Sequence, residues 1–397
     1  MGGVTDWLRI KMKVTIFQYR LFHYRVRLFE LMRQKCRERG IELVVVYGQP
    51  YRDEIKKHDT GTLSWAIPVR NRYWPVKEKK DLCWQPMPKE ARGSDLLVFM
   101  HENRLVANYW WLLRRSLGLG PRVAFWGHGR DFQSRAPGGL REKWKALSLK
   151  WPDWWFAYTS LTDTLLQAAG YDRQRITVLQ NAIDNQSFAD ELAAVDAAQL
   201  AALRAQLGLP QGTFVGLYCG SLYEDKRLDL LFRIAIHVQE INPSFRLIVA
   251  GDGALRPLVE AFCAGHPWAH CVGAQYGANK AALFRLADVS LCPGAVGLNV
   301  LDAFVSGTPL VTRRDAVHGP EVAFIQHGVN GFMVDGDVNA YAACLIALST
   351  DPAMLKRVSA AALQSAAEYT VENMAERFVS GLASSLTPET VSVESIA

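Results

Sequence analysis

Short apolar runs alternate with helical stretches along the first half of the chain. These runs span residues 13–17, 40–48, 94–100, 122–127, 154–160 and 176–181. They are rich in β-branched or aromatic residues, and polar or helix-forming sequence follows each of them. Strands that alternate with helices predict a parallel sheet with both of its faces covered.

A second alternation of the same kind follows a helical, Ala/Leu-rich stretch at residues 186–212. Its apolar runs span residues 214–220, 245–253, 269–275, 288–294, 309–313 and 331–336. We therefore expect an α/β protein with two Rossmann-like, doubly wound domains that face a central cleft. The predicted domains are residues 1–190 and 191–370, and residues 371–397 are predicted to form a helix that packs back on the first domain, and a polar tail.

Composition places the chain among globular proteins large enough for two cores, because it has 397 residues, 49% of them hydrophobic. No apolar run reaches the roughly 20 residues that span a bilayer. Residues 1–14 lack the apolar core and cleavage site of a secretory signal. The seven cysteines are scattered without a Cys-x-x-Cys pair, so we expect a cytoplasmic protein without a disulfide framework or zinc site.

Charge and tryptophan are distributed unevenly along the chain. Residues 1–180 carry a net charge of +15 and the remainder −9, while eleven of the twelve tryptophans precede residue 160. Basic residues together with indoles are typical of a face that binds anionic lipid headgroups. Solvated charge with tryptophan in the core is the alternative interpretation. The collective imbalance favours a membrane surface or a polyanionic ligand, and we predict an anionic membrane surface, and no nucleic acid, as a partner.

The second domain has candidate ligand-binding loops where its strands end. Gly220 and Ser221 follow the first strand, and Lys226 and Arg227 follow one short loop later. A glycine lets a ligand approach the backbone, and a lysine at this spacing can reach a phosphate as a point charge. The alternative is a lysine that merely begins a helix at the surface.

A single carboxylate interrupts the apolar stretch at residues 292–311. Asp302 lies there between Leu301 and Ala303 in a predicted helix. An unpaired carboxylate in such surroundings is costly or takes up a proton. Asp302 is therefore predicted to lie near the mouth of the cleft, where it can accept hydrogen bonds from a ligand.

Five pieces occur in order across residues 216–335: GSLYEDKR, GDG, ADVSLCPG, GAVGLNVLDAFVSGTPLV and HGVNGFMV. Together they resemble the nucleotide-sugar half of GT-B glycosyltransferases, especially the large retaining family 4, or group 1, that makes surface polysaccharides and glycolipids. Residues 177–188 are more loosely similar to the Pro-Asn-Gly-(Val/Ile)-Asp segment of that family. The resemblance implies a GT-B fold and a nucleoside-diphosphate sugar as donor. It also implies no bound metal or other cofactor, because basic residues and a helix N-terminus stabilise the leaving diphosphate.

The sequence departs from the family pattern at the donor site. The phosphate-contacting arginine of the family is replaced by Ser221, which leaves Lys226 and Arg227 as cations. The first glutamate of Glu-x₇-Glu is replaced by Gly294 and the second by Asp302. The resulting Pro-Gly-x-Val-Gly-Leu is similar to a subgroup of the same family.

The resemblance assigns roles to residues of both domains. Lys226 would neutralise the diphosphate, Asp302 would bind ribose hydroxyls and His128 would line the catalytic space. The predicted donor-binding residues are Gly220, Ser221, Arg227, Gln275, Tyr276, Gly294, Val296, Gly297, Leu298 and Asn299. A plain turn is the alternative interpretation of Gln275 and Tyr276, and a loop histidine bonded to backbone is the alternative for His128.

Polar residues beyond strand ends of the first domain are predicted to hold the acceptor. The loop after the first strand lacks the paired glycines of the family and offers basic side chains instead. The predicted acceptor-binding residues are Arg20, His23, Arg25, Glu102, Asn103, Arg104 and Arg130. The acidic Val-Asp-Gly-Asp at residues 334–337 imitates a metal pair, but it lies where the family has a surface turn.

Three functions are compatible with these residues. The leading hypothesis is a retaining hexosyltransferase, peripheral on the cytoplasmic membrane face, that extends a lipid-linked glycan in the synthesis of surface polysaccharide, lipopolysaccharide or glycolipid. The alternatives are an acceptor-free nucleotide-sugar hydrolase or epimerase of the same fold, and a catalytically silent nucleotide-sugar-binding partner. A dinucleotide oxidoreductase is disfavoured, because no Gly-x-Gly-x-x-Gly follows the first strand of either domain with an acid about 20 residues later.

Overall fold

The computed structural model describes residues 12–51, 59–77, 80–130 and 139–387. The expectations that residues 1–14 are not a secretory signal and that the chain ends in a polar tail concern mainly residues outside this part of the chain.

The chain divides into two compact units. The amino-terminal domain comprises Met1–Ile183 together with Val371–Ala397, and the carboxyl-terminal domain comprises Asp184–Thr370. The division between the domains thus falls seven residues before the predicted boundary at residue 190.

A seven-stranded parallel sheet forms the centre of the amino-terminal domain. The strands described in this domain are β1 (Met12–Gln18), β2 (Ile41–Tyr47), β3 (Ile67–Pro68), β4 (Arg72–Lys77), β5 (Lys80–Trp84), β6 (Leu96–Met100), β7 (Arg122–Gly127), β8 (Trp154–Ala157) and β9 (Ile176–Val178). The sheet order is β3-β2-β1-β6-β7-β8-β9, and β4 and β5 form a separate antiparallel hairpin that the sequence reading missed. The central strands are buried on both faces, which explains their continuous apolar runs.

Helices connect these strands and cover the sheet. They are α1 (Val26–Glu38), α2 (Val106–Ser116), α3 (Leu140–Leu147) and α4 (Ser160–Ala168). Large aromatic side chains fill the core between the layers, where Phe17 stacks on Phe99 at 4.8 Å and Trp155 is fully buried. This core is built from residues of six strands, so it rigidly positions the loops at the strand ends.

The carboxyl-terminal domain repeats this architecture. Its elements are α5 (Gln186–Ala194), α6 (Ala197–Gln206), β10 (Phe214–Cys219), α7 (Leu228–Ile241), β11 (Phe245–Ala250), α8 (Arg256–Gly265), β12 (Ala269–Gly273), α9 (Gly277–Leu286), β13 (Val289–Cys292), α10 (Asn299–Ser306), β14 (Leu310–Arg313), β15 (Gly331–Val334), α11 (Val338–Thr350) and α12 (Pro352–Ala366). The parallel sheet has the order β12-β11-β10-β13-β14-β15. The chain therefore moves to one side of β10 first and to the other side from β13 onwards, which is the doubly wound topology.

The last helix, α13 (Val371–Leu386), belongs to the amino-terminal domain. Phe378 stacks on Phe156 at 4.3 Å and meets Trp126 edge-on at 5.0 Å. At the edge of this contact, Glu376 accepts hydrogen bonds from Lys35 and Arg39 of the α1 region. These two bonds lower the pKa of Glu376 to about 2. Apolar packing and charge together hold α13 against the first domain.

No single helix in the described ranges is long and apolar enough to cross a membrane. Only α11 and α12 together pass such a test of length and composition, and they are bent by 100° where they meet. The bend lies at Asp351, which accepts a hydrogen bond from the Met354 amide and so caps α12.

Candidate functional site

The candidate site lies where the sheet of the carboxyl-terminal domain reverses its winding. β10 pairs directly with β13, through Gly216 opposite Val289 and Leu217 opposite Ser290. Connections from the two strands leave in opposite directions, so a crevice opens beyond their carboxyl ends. The loops that follow them, residues 220–227 and 293–298, contain most of the predicted donor-binding residues.

Lys226 joins these two loops. Its Nζ donates a hydrogen bond to the Ala295 carbonyl oxygen at 2.5 Å, and the Ala295 amide donates to the Asp225 carbonyl at 2.9 Å. The Lys226 ammonium also lies 5.6 Å from the centre of the Tyr223 ring. The predicted phosphate-binding cation is thus held beside the loop that leads into α10.

Gly294 is explained by the close approach of the same two loops. A Cβ at this position would collide with the carbonyl oxygen of Asp225 and the carbonyl group of Lys226. The resemblance to the family suggests that Gly294 replaces a sugar-binding acid. In the structure this position has no room for any side chain, so the glycine is a packing requirement of the loop that carries Lys226.

Arg227 and Ser221 contribute less to the crevice than the sequence reading expected. Arg227 adopts φ 53° and ψ 51°, the left-handed conformation that favours glycine. Its guanidinium makes two hydrogen bonds, at 3.0 and 2.9 Å, to the exposed carboxylate of Asp229. Ser221 is exposed, its carbonyl accepts a hydrogen bond from the Tyr218 hydroxyl, and Gly220 before it is half-buried.

Asp302 has an internal partner that sequence reasoning missed. Lys280 on α9 donates a hydrogen bond from Nζ to Asp302 Oδ1 at 2.7 Å. The two side chains are only 23% and 17% exposed. Burial raises the pKa of Asp302, and the charge and hydrogen bond of Lys280 oppose that rise. The carboxylate that was predicted to bind a ligand therefore already uses one oxygen, Oδ1, to bond Lys280. Oδ2 is the oxygen left for a ligand.

Cys219 and Phe188 complete the surroundings of this ion pair. Burial raises the pKa of the Cys219 thiol to about 11, and the charges of Lys280 and Asp302 act on it in opposite directions. The Lys280 ammonium also lies 4.4 Å from the centre of the Phe188 ring. The pair thus lies near Cys219, at the end of β10.

The beginning of α10 offers backbone amides to a ligand. The Val296 amide donates to His318 Nδ1 at 3.2 Å, and the Gly297 amide donates to the side-chain oxygen of Asn299 at 2.9 Å. The next two amides, those of Leu298 and Asn299, have no hydrogen-bond partner among the described residues. Leu298 and Asn299 are both among the predicted donor-binding residues, and their role in binding a diphosphate stays a prediction.

Gly297 leaves the start of α10 open, and His318 orders the loop that leads into it. A Cβ on Gly297 would meet no atom within 4 Å, so the backbone there faces open space. His318 donates from Nε2 to the Arg313 carbonyl at 2.7 Å, which makes Nδ1 the acceptor for the Val296 amide. Burial lowers the pKa of His318, and the charge of Lys226 lowers it further. Neutral His318 thus orders the loop, a role that no local signal in the sequence indicated.

Gln275 and Tyr276 fit the alternative interpretation of a turn. Gln275 donates from Nε2 to the Val272 carbonyl at 2.5 Å, within its own turn. Tyr276 is 81% exposed and precedes α9 as its N-cap residue. A role in binding the base stays a prediction for both residues.

His128 is the predicted catalytic residue of the amino-terminal domain. It follows β7 and meets the Tyr158 ring edge-on at 4.1 Å. Burial lowers the pKa of His128 to about 3, and the charges of Lys145 and Arg25 contribute to this shift. Its buried Nδ1 has no hydrogen-bond partner in the described part of the chain. His128 is therefore a mostly buried, neutral imidazole, and its role in the catalytic space stays a prediction.

Arg20 and Arg25 are used inside the domain rather than presented to an acceptor. Arg20 is 4% exposed, and its Nη1 and Nη2 atoms bond the two carboxylate oxygens of Asp59 at 2.5 and 3.2 Å. Arg25 is equally buried and donates to Asn181 Oδ1 at 2.8 Å. Burial of an unpaired guanidinium is unfavourable, and these partners satisfy both groups inside the domain. The sequence alone did not indicate these partners.

The other predicted acceptor-binding residues are more accessible. His23 is exposed, with Nδ1 3.2 Å from the Asp59 carbonyl oxygen. Glu102 and Arg104 form a half-buried ion pair at 2.9 Å, beside half-buried Asn103. Arg130 is exposed and directly precedes the undescribed residues 131–138. Their roles toward an acceptor stay predictions.

The acidic Val-Asp-Gly-Asp turn has structural partners. Asp335 pairs with Arg314 at 2.9 Å, and Asp337 caps α11 by accepting from the Asn339 and Ala340 amides. Within the described ranges, no group of three or more His, Cys, Asp and Glu residues is placed to hold a metal ion. Independence from metal stays a prediction.

Comparisons with known proteins agree with this geometry. Residues 213–351 match the family model described as "Glycosyl transferases group 1". D-inositol 3-phosphate glycosyltransferase of Thermobispora bispora is 31% identical over 229 residues, which are 53% of this chain and 51% of the relative. The chain thus spans about half the length of that relative. It likewise spans 42% of the length of the D-inositol 3-phosphate glycosyltransferase of Thermobifida fusca.

Solved structures show the fold over nearly the whole chain. A glycosyltransferase from Rickettsia africae has a TM-score of 0.67 at 12% identity and covers 95% of this chain and 99% of its own. Anabaena HepE in complex with UDP has a TM-score of 0.65 at 16% identity, with coverage of 94% and 100%. The predicted α/β fold with two Rossmann-like domains is thereby confirmed. Residues 213–351 thus match the model of group 1 glycosyl transferases, and the chain as a whole has the GT-B-like two-domain fold of the similar solved structures.

Proposed function

We propose that the protein is a retaining hexosyltransferase that moves a sugar from a nucleoside-diphosphate sugar to a lipid-linked glycan. One observation carries the proposal: Lys226 bonds the loop that leads into α10, and α10 carries both the open amides at its start and Asp302, which pairs with Lys280. Anabaena HepE, which shares the fold, was solved with UDP and with UDP-glucose, and this supports a nucleotide-sugar donor.

The proposed role of Lys226 and α10 is to stabilise the leaving diphosphate. Bond cleavage at the sugar transfers negative charge to the diphosphate, and preorganised cations and amides lower the energy of that state. The amides of Leu298 and Asn299 lie at the positive end of the helix dipole, beside the loop that Lys226 contacts. We infer that the diphosphate binds there and that its own oxygen assists attack on the same face of the sugar, which gives retention.

Asp302 is proposed to bind the ribose of the donor. Lys280 holds Oδ1 and favours the ionised carboxylate. The charged Oδ2 can then accept hydrogen bonds from ribose hydroxyls, and hydrogen bonds to a charged acceptor are stronger than neutral ones. Lys280 thereby acts as a positioning residue for Asp302.

The amino-terminal domain is proposed to serve the acceptor. His128 would contact the donor sugar as a neutral imidazole, and His23, Asn103 and Arg130 would contact the glycan. The excess of positive charge in this half supports peripheral association with the anionic cytoplasmic face of a membrane. Synthesis of surface polysaccharide or glycolipid is the process that such an acceptor and location favour, and we propose that it requires no metal cofactor.

Purified protein incubated with radiolabelled nucleotide sugars, with and without membrane lipid extract, tests the proposal. Transfer of label to lipid supports it, whereas turnover without acceptor indicates a hydrolase or epimerase, and binding without turnover indicates a silent partner. Lys226→Ala should lower transfer by about 100-fold, as expected for loss of a cation at the leaving group. Lys356→Ala, at an exposed position on α12, is the matched control. Unchanged transfer in Lys226→Ala would contradict the assigned role.

A further inference from the structure

The solvent-facing side of α2 is apolar. The helix buries Asn108 and Leu112, yet Trp110, Leu113 and Leu117 are 46%, 52% and 63% exposed. These three side chains are spaced three or four residues apart, so they form one stripe along the helix and its C-cap. A surface helix that packs on a core normally has polar residues there. The stripe therefore calls for a partner outside the domain.

α3 and the turn after it extend the stripe into a patch. Trp144, Leu147 and Trp151 are 47%, 58% and 39% exposed. The ring of Tyr109 on α2 lies 5.8 Å from Trp144, which in turn lies 5.5 Å from Trp151. These ring contacts make α2 and α3 neighbours on one surface.

We define the α2–α3 patch by its seven exposed apolar residues: Trp110, Leu113, Leu117, Leu119, Trp144, Leu147 and Trp151. Exposed apolar patches that exceed the scattered residues of ordinary surfaces mark interaction sites. The patch holds seven of the seventeen large apolar side chains that are exposed in the described part of the chain, within 42 residues. This concentration distinguishes it from scattered exposure.

Positive charge is concentrated along the stretch of sequence that carries the patch. Residues 105–153 contain nine Lys/Arg and three Asp/Glu, a net charge of +6 that equals the charge of the whole chain. Lys143 and Lys150 are exposed next to Trp144 and Trp151, and Arg115 neutralises Asp153 through three hydrogen bonds. Lysine is depleted at the centres of protein–protein interfaces, whereas tryptophan with lysine is typical of anionic lipid surfaces.

We propose that the α2–α3 patch docks on an anionic lipid bilayer. The tryptophan and leucine side chains enter the headgroup layer, and Lys143 and Lys150 lie against lipid phosphates. Stable peripheral binding takes two contributions, and here apolar insertion and basic charge lie on one face. The inference deepens the membrane association proposed above and assigns it to particular helices. It requires neither a bound donor nor sugar transfer.

Flotation of the full chain with vesicles tests the assignment. Wild type should float with phosphatidylglycerol and phosphatidylcholine mixed in equal parts, and should float poorly with phosphatidylcholine alone. Trp110→Gln combined with Trp144→Gln should lower the partition coefficient about tenfold or more. Trp74→Gln is the matched control, because Trp74 is 47% exposed in the same domain but lies on the β4–β5 hairpin. It should bind like wild type.

Charge variants test the contribution of basic residues to membrane binding. Lys143→Glu with Lys150→Glu should abolish the preference for anionic vesicles, whereas Lys356→Glu with Arg357→Glu on α12 should leave it unchanged. High salt should weaken wild-type binding in the same way as the first pair. Because Trp144 packs on Trp151, Leu113→Gln with Leu147→Gln serves as a second apolar pair if the tryptophan variant melts early.

Each outcome supports or overturns the inference. Equal flotation of wild type and the patch variants would overturn the assignment while leaving membrane association intact. Wild type that does not float would overturn both, although a thermal shift with UDP would still support the donor site. If the patch variants changed self-association in sedimentation while their flotation stayed unchanged, the patch would instead be an interface between copies of the chain.

Discussion

Replacement of Lys280 by methionine tests the ion pair on which the proposed ribose site depends. Methionine keeps most of the apolar stem of lysine but removes the charge that lies 2.7 Å from Asp302 Oδ1. Asp302 would then be a mostly buried carboxylate without its cation. Its pKa, already raised by burial, should rise further.

The magnitude follows from the separation and burial of the pair. At an effective dielectric constant of about 20, unit charges 2.7 Å apart attract by about 6 kcal/mol. Desolvation of both groups offsets much of this attraction, and removal of one partner from a fully buried pair costs about 3–5 kcal/mol. Because the side chains retain 23% and 17% exposure, we expect Lys280→Met to lower the free energy of unfolding by about 2 kcal/mol.

The assay is urea unfolding of wild type, Lys280→Met, Asp302→Asn and the double variant at several pH values. The double-mutant cycle should give a coupling of about 2 kcal/mol at pH 7. A carboxyl whose pKa is raised on folding binds more protons in the folded state, so its burial lowers stability as pH rises above its unfolded value of 3.8. The loss in Lys280→Met should therefore be largest at neutral pH and shrink as Asp302 becomes protonated in acid. A loss independent of pH, or coupling below about 0.5 kcal/mol, would refute this reasoning.

Two further predictions concern the loops beside this pair and the first domain. Gly294→Ala should cost about 1–3 kcal/mol and weaken UDP binding in calorimetry, because its Cβ meets the Lys226 backbone, whereas Gly297→Ala should change stability by less than about 0.5 kcal/mol. Equal stability of the two variants would contradict the packing role of Gly294. The imidazole of His128 should not titrate in NMR between pH 5 and 8, since burial lowers its pKa to about 3. Its folded pKa lies below the unfolded value of 6.5, so stability should fall as pH decreases from 6.5 toward 3, and His128→Gln should flatten this dependence; a titration near pH 6.5 would show that the imidazole is solvated.

The elements and their order were largely predictable. The predicted runs at 245–253 and 288–294 contain β11 and β13, and the other predicted runs likewise coincide with strands of the two sheets, although the two-residue strand β3 was not predicted. A strand buried on both faces in a parallel sheet must be continuously apolar, so its local sequence identifies it. The hairpin β4–β5 was missed because its strands, RYWPVK and KDLCW, are not continuous apolar runs.

The positions of the donor loops were also predictable, but the contacts within them were not. Chain order and strand alternation place Lys226 and Leu298 beyond strand ends at a switch point. Nothing local indicates that Gly294 faces the Lys226 backbone, or that His318 accepts from the Val296 amide. These contacts join segments that are distant in sequence.

Partners of charged residues were decided by tertiary packing alone. Lys280 and Asp302 are 22 residues apart on different helices, and Arg25 reaches Asn181 across 156 residues. Likewise, one tryptophan-rich half contains both Trp126, which is buried, and Trp110, which is half exposed. The sequence by itself determined the two sheets, their doubly wound order and the charge of each half, because local apolar pattern and composition encode these properties. The tertiary structure decided which side chains pair and which remain exposed, because pairing and exposure depend on which helices pack side by side.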